Sequence, residues 1–329
     1  MSKVHEERIN MMLSIVTTLY KSERYVQEFY ARIVKAAASL TPDFEIVFVN
    51  DGSPDESVDI ACTLADSDPR VSVVDLSRNF GHHRAMMSGL RHARGDLVFL
   101  IDVDLEEQPE ALGMFWSLMH SDAKIDVAFG QLEQKTVPWI KQYTSNAFYR
   151  LFNALSTTPI SDREVVSRLM RRPYVDALLS YGEYEIFIPA VWADAGFVQR
   201  PVTVTKGFDG FSSYTLSRRV AMAVDAITSF SSRPLLYIFY LGLLFSTSST
   251  LYFIYLLTRK LFLDDVVLGW TSLMAGLFLI GGIIIFSLGV VGIYVAKIYT
   301  EVKRRPNAIV RRVHKSAANA ASPSTIQIP

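Results

Sequence analysis

The sequence predicts an α/β fold built on a mainly parallel sheet, joined to a helical C-terminal part. Three observations predict it. Across the first 212 of 329 residues, short apolar runs rich in Val, Ile and Phe alternate with stretches of helical periodicity. The apolar runs are nearly continuous, as in strands covered on both faces of a parallel sheet. Beyond residue 234 the pattern changes to two long runs without a charged side chain.

The elements follow in order. "MLSIVTTLY" reads as the first strand and "YVQEFYARIVKAAASL" as the helix after it. "FEIVFVN" and "VSVVDLS" are strands two and three, separated by a helix that starts after Pro54. A helix around Arg84–Ala93 leads to the fourth strand, "LVFLI". A helix near Glu110–His120 and a fifth strand, "DVAFG", complete the series. In such sheets ligands bind beyond the carboxyl ends of the strands. Strand two ends in "VNDGSPDES", strand three in "LSRNFG" and strand four in "IDVDLEE", so Asn50, Asp51, Arg78, Asn79, Asp102 and Asp104 converge on one edge. "NDGSPD" alone is a turn and a helix cap, with Ser53 or Asp55 as the capping residue. Three polar strand ends together point to a site.

"FLIDVDLEEQPE" carries five carboxylates, on Asp102, Asp104, Glu106, Glu107 and Glu110. Asp102 and Asp104 flank Val103, and residues two apart in an extended chain point the same way. Two carboxylates on one side repel unless a cation lies between them. Hard oxygen ligands favour Mg²⁺ or Mn²⁺, and magnesium completes its shell with substrate phosphates. That pattern points to a nucleotide or other diphosphate ligand. Phosphatases that form an aspartyl-phosphate share the tripeptide, but carry it after the first strand of their core. Glu107 and Glu110 flank Pro109 at a helix start, where exposed N–H groups favour negative charge.

Composition narrows the class further. Formal net charge is zero, yet Lys297–Lys315 holds seven Lys or Arg and one acidic residue. The single Cys62 excludes an intramolecular disulfide. The adjacent pair His82–His83 does not make a zinc-type spacing. No feature calls for a nucleic acid partner. The N-terminus is interrupted by Glu and Arg and does not read as a secretory signal.

Leu235–Leu257 and Val266–Ala296 are each long enough to cross a hydrocarbon core of roughly 30 Å. Tyr237, Tyr240, Tyr255, Trp270, Tyr294 and Tyr299 lie near their ends, as interface belts do. The basic stretch after Ala296 marks the cytoplasmic side, and two spans joined by a loop near Thr258–Asp265 return the chain to that side. Just before them Leu216, Val220, Ala223, Val224, Ile227 and Phe230 repeat at helical spacing, which suits a helix lying in the interface of a lipid bilayer. The glycines of the second span permit close packing, within one chain or in a homo-oligomer. The expected division is a cytoplasmic domain over 1–212 and an interfacial helix over 213–233. Two spans follow over 234–297 (about 235–257 and 268–296), then a basic cytoplasmic tail over 298–329 whose end is disordered. The protein is expected to be integral to the membrane, with both termini and the catalytic domain in the cytoplasm.

The motifs "SIVTTLYKSE", "EIVFVNDGSPDES", "LSRNFGHHRAMMSGLRHARGDLVFLIDVDLEEQPE" and "SYTLSRRVAMAVDAITSFSSRPL" occur in the order and spacing of glycosyltransferase family 2. The chain resembles its membrane-anchored polyprenyl-phosphate glycosyltransferases, the dolichyl-phosphate mannose synthase-like enzymes. The resemblance implies a GT-A nucleotide-sugar-binding domain. It also implies inverting transfer of a sugar from a nucleotide-diphosphate sugar to polyprenyl phosphate. By position it implies that Thr18, Tyr20 and Asp51 border the base and ribose, with Arg78 in the matching strand-end motif. It implies that Asp102 and Asp104 hold the metal and diphosphate, and that Glu106 stands near the sugar where the family commonly has glutamine. Asp104 and Glu106 are thus the candidate catalytic residues.

The chain departs from the family in places. The first strand ends in Thr18-Leu19-Tyr20-Lys21-Ser22 where the family has Pro-x-Tyr-Asn-Glu. The family's Asp-Phe-Arg element aligns with Val166-Ser167-Arg168, so its aspartate is missing, and Asp162 is out of register. Loss of that group is tolerable on chemical grounds. A phosphate monoester has a second pKa near ~6, is largely dianionic at neutral pH, and attacks without a general base. It needs cations to position it, and Arg168, Arg218 and Arg219 are the candidates. Two other functions compete: transfer to a glycan hydroxyl, and a catalytically weak membrane-bound binding or scaffold protein. The Gln-x-x-Arg-Trp motif of processive polysaccharide synthases does not occur in the sequence.

Overall fold

The computed structural model describes residues 11–133, 163–183, 188–205, 228, 233–263 and 269–316. These fall into two units, an α/β unit and a helical unit that ends at Arg304.

In the α/β unit the strands are β1 (Leu13–Leu19), β2 (Phe44–Asn50), β3 (Val71–Leu76), β4 (Leu97–Leu100), β5 (Val127–Leu132), β6 (Glu164–Arg171), β7 (Gln199–Val204) and β8 (Val310–Lys315). They form one sheet in the order β7-β5-β6-β4-β1-β2-β3-β8. β1, β2, β3 and β4 pair in parallel, and β7 pairs in parallel with β5. β6 runs against β4 and β5, and β8 against β3. The mainly parallel expectation therefore holds, with two reversed strands. Every residue of β1, β2 and β4 is buried, as near-continuous apolar runs require.

Helices α1 (Glu23–Ala38), α2 (Ser57–Ser67), α3 (His82–His92), α4 (Leu112–Ser121), α5 (Arg172–Ser180) and α6 (Ile188–Asp194) belong to the same unit. In α1, Val26, Phe29, Ile33 and Ala37 form the buried stripe. Phe29 meets Phe48 of β2 edge-on at 6.2 Å, and Phe115 of α4 meets Phe99 of β4 at 5.4 Å. α3 packs against β1 and β2. A side chain at Gly89 would collide with Val16 and Val49, so only glycine permits that approach.

The last strand departs from the expectation of a simple basic tail. Val310–Lys315 pairs antiparallel with β3 and closes that edge of the sheet. Its four basic side chains, Arg311, Arg312, His314 and Lys315, suit an edge strand, where charge discourages pairing with another chain. The expected disorder of the chain's end falls on 317–329, outside the described residues.

The helical unit contains α7 (Arg233–Leu263) and α8 (Trp270–Val302). Both are long and apolar enough to cross a membrane. Their large apolar side chains are exposed, Ile285 at 72%. α7 continues to Leu263, through most of the segment expected to be a loop. The expected interfacial helix over 213–233 lies outside the described residues, apart from Thr228 and Arg233.

Candidate active site

The carboxyl ends of β1 to β4 share one edge of the sheet. Register sets Leu19 of β1 beside Asn50 of β2, and Asn50 beside Asp75 of β3. Val16 pairs with Leu100, so the chain leaving β4 at Asp102 emerges next to the end of β1.

The loop after β2 is built by backbone contact. Gly52 has φ +61° and packs against the backbone of Arg78 and Asn79, leaving no room for a side chain. Asp51, 2% exposed, accepts hydrogen bonds from the N–H groups of Phe80 (2.7 Å) and Gly81 (3.0 Å). Burial pushes its carboxyl up, and those two bonds with nearby Arg78 and Arg84 pull it back. Asp51 thus ties the loops after β2 and β3 together. Arg78 folds back on the second loop, with Nη1 donating to Asn79 O at 2.9 Å and its guanidinium 4.1 Å from the Phe80 ring centroid.

A second clamp lies at the start of α1 and α2. Asp55 accepts from Glu23 N, Ser57 N and the hydroxyls of Ser53 and Ser57. Burial raises its carboxyl, but these donors outweigh that and hold it at about 2. Ser53 Oγ in turn accepts from Lys21 N at 2.7 Å, where Lys21 has φ +55°. Tyr20, just before that turn, presents an exposed ring.

The Thr18 hydroxyl lies 3.0 Å from His82 Nδ1, and His82 Nε2 lies 3.3 Å from Asp102 Oδ1. Desolvation and the neighbouring His83 push the imidazole down to about 4, although the side chain is 44% exposed. The sequence singled out His82 only as half of a histidine pair. Its position at the first turn of the helix following "NFG" was the available signal.

Val103 is buried, while Asp102 and Asp104 on either side are partly open. Asp104 Oδ1 accepts from Glu106 N at 3.0 Å across a turn in which Leu105 has φ +61°. A positive φ at a bulky side chain is strained, and such strain gathers at functional sites. Among the described residues no three His, Cys, Asp or Glu side chains gather to enclose a metal. Two carboxylates beside an open rim nevertheless suit Mg²⁺ or Mn²⁺, which take one or two carboxylates and fill the shell with phosphate and water.

The other acidic residues have different partners from those expected. Glu107 is buried, and its two oxygens accept from Val166 N (3.1 Å) and Ser167 N (2.8 Å) of β6. Glu110 forms a two-pronged pair with Arg32 at 2.7 and 2.8 Å. Glu107, Gln108, Glu110 and Met114 line a cavity of about 230 Å³ with Ser167, Val204 and Thr205.

Arg168 is not where an acceptor phosphate can reach it. The side chain is 0% exposed, with its guanidinium 3.0 Å from the Trp192 ring centroid and Nη2 3.8 Å from Glu164. β6 is an interior strand, so a side chain on it is covered by α5 and α6. Burial pushes the guanidinium down to about 10, against the pull of Tyr174 and Glu164. Arg218, Arg219 and Asp162 lie outside the described residues.

A mainly parallel α/β sheet with acidic residues at the carboxyl ends of its strands is the arrangement of enzymes that bind ligands beyond those ends. Glycosyl transferase family 2 matches residues 14–179. A Mycobacterium tuberculosis protein described as a glycosyltransferase is 44% identical over 96% of this chain and 92% of its own length. The SfII prophage-derived bactoprenol glucosyl transferase of Shigella flexneri is 32% identical over 93% of this chain and 99% of its own. The prophage bactoprenol glucosyl transferase homolog of Escherichia coli K12 is 31% identical over 93% of this chain and 100% of its own. The chain belongs to glycosyl transferase family 2 and is a glycosyltransferase.

Proposed function

We propose that this glycosyltransferase moves a sugar, with inversion, from a nucleotide-diphosphate sugar to a polyprenyl phosphate at the cytoplasmic face of a membrane. One observation carries the proposal: a single chain joins a carboxylate pair at the end of β4 to two helices long and apolar enough to cross a bilayer. Relatives that match nearly end to end are named bactoprenol glucosyl transferases, which supports the same acceptor.

Each residue has a task in this reaction. Tyr20 offers its exposed ring to the base. Asp51 and Arg78 shape the loop against which the nucleotide lies, and Thr18 acts through His82. Asp102 and Asp104 hold Mg²⁺ or Mn²⁺, which when bound supplies positive charge against the departing diphosphate. Glu106 borders the sugar. A phosphate oxygen of the lipid attacks the anomeric carbon opposite the diphosphate. A carbon–oxygen bond to the lipid phosphate forms as the bond to the nucleoside diphosphate breaks, and its electron pair leaves with the diphosphate. No proton need move, so the missing aspartate is not required. Arg218 and Arg219 are the cations for the acceptor phosphate. The α/β unit and both termini lie in the cytoplasm, because the basic stretch follows the second helix.

Product analysis tests the proposal. Full-length protein in lipid nanodiscs is incubated with Mg²⁺, undecaprenyl phosphate and a panel of nucleotide sugars. Sugar on the lipid phosphate is the expected product. Sugar transferred only to a glycan hydroxyl would sink the proposal, and nucleotide binding with no transfer would favour a binding role.

A further inference from the structure

The C-terminal strand reaches toward the nucleotide edge through buried side chains. Asp75 of β3 is buried, with Oδ2 3.3 Å from Arg312 Nε and 3.9 Å from Arg311 Nη1, both on β8. Its other oxygen, Oδ1, accepts from Asn50 Nδ2 at 2.8 Å. The Asn50 side-chain oxygen accepts from Ser53 N at 3.0 Å. A carboxylate cannot donate, so Asp75 forces the amide of Asn50 to turn its NH₂ inward and its oxygen toward Ser53. β8 also grips the next loop, with Ser77 N donating to Ile309 O at 2.8 Å and Arg311 Nη2 donating to Ser77 O at 2.7 Å. The segments so held, Asn50–Ser53 and Ser77–Gly81, are the two that Asp51 and Gly52 lock together.

We propose that β8 is a positioning element of the nucleotide site: Arg312 holds Asp75, and Asp75 sets the Asn50 amide that fixes the Asp51–Ser53 loop. The chain that returns from the second long helix is then part of the donor site without touching the donor. The proposal rests on the reading that this loop faces the nucleotide. Arg312 is the place to cut, because its side chain is 56% exposed and Arg311, 3.9 Å from the same carboxylate, remains beside Asp75 when it is lost.

The test measures binding of UDP and GDP, each with Mg²⁺, to full-length wild type, Arg312→Ala, Arg312→Lys and Asp75→Asn by calorimetry, with melting followed in parallel. Asp75→Asn keeps an acceptor for Asn50 but turns an NH₂ toward Arg312. Expected are a rise in the nucleotide dissociation constant of about tenfold for Arg312→Ala and Asp75→Asn, recovery of affinity and melting in Arg312→Lys, and a fall in melting of Arg312→Ala too small to unfold the protein at the temperature of the binding measurement. In turnover assays KM for the donor rises while kcat holds. Wild-type affinity in Arg312→Ala overturns the inference. So does a loss of affinity that tracks a loss of melting temperature and is not recovered by lysine. Failure of wild type to bind either nucleotide overturns the reading of the site instead.

Discussion

Glu45 at the amino edge of the sheet and Asp51 at the carboxyl edge are both buried carboxylates, held in different ways. At the amino edge, Glu45 of β2 is buried and met by an arginine. Arg94 donates from Nε and Nη2 at 2.9 and 2.7 Å, while Arg94 N and Ser14 Oγ donate to the other oxygen. Arg172 closes the same edge by donating to Ala93 O and Gly95 O. At the carboxyl edge no arginine clamps Asp51. Its oxygens meet backbone N–H groups, which fix a loop without cancelling a charge. The strained turns at Lys21 and Leu105 are both at this edge. Asp75, also at the carboxyl edge, is paired with Arg312, so the contrast is between Glu45, held by a guanidinium, and Asp51, held by backbone N–H groups.

Substitutions sharpen the contrast, beginning with the largest effect. Asp104→Asn should lower transfer at ordinary Mg²⁺ by at least about a hundredfold, with melting unchanged. Retained turnover would remove the metal role from that residue. Arg94→Ala should do the reverse. It strands a buried carboxylate, costs about 2 kcal/mol, and leaves turnover per folded molecule intact, as read by paired melting and activity assays.

The third effect depends on pH. The Asp55 carboxyl sits at about 2 in the folded chain against an ordinary 3.8. A lowered folded-state pKa adds stability above the ordinary value and loses it as pH falls through the folded one. Wild type should therefore out-melt Asp55→Asn at pH 6, with the gap closing between about pH 4 and pH 2. A gap that does not change with pH would mean that the carboxylate charge is not what binds the two helix starts. The smallest effect is expected at Arg168→Met, which exchanges a buried cation for an apolar chain of similar length. Melting should shift by less than about 1 kcal/mol and KM for the acceptor should not move. A large rise in KM would restore Arg168 to the acceptor site.

The first five strands and the helices between them were legible because apolar periodicity is a local property, whereas β6, β7, α5 and α6 were not read from the sequence. The convergence of Asp51, Arg78, Asp102 and Asp104 followed from parallel topology alone. Partners distant in sequence were not legible. Glu107 looked like a helix-start charge, yet it binds N–H groups of β6 some sixty positions away. Arg168 looked like a phosphate ligand because guanidinium groups usually are, and nothing in its neighbours announced Trp192 above it. β8 was missed because basic residues near a membrane segment have a ready explanation in lipid charge. From Val310 to Lys315 the chain reads Val-Arg-Arg-Val-His-Lys, with the valines three apart, so no period-two pattern announced the strand.

The place of β8 in the chain also sets an order of events at the ribosome. Its partner β3 is made roughly 240 residues earlier. At about 5–20 residues per second, β3 waits on the order of ten to fifty seconds before its neighbour exists. During that time the sheet has an open flank able to pair with another chain. Both long apolar helices are synthesised in the same interval. The sheet therefore closes only after both long helices have been made, and a chain truncated after the second helix would leave that flank bare.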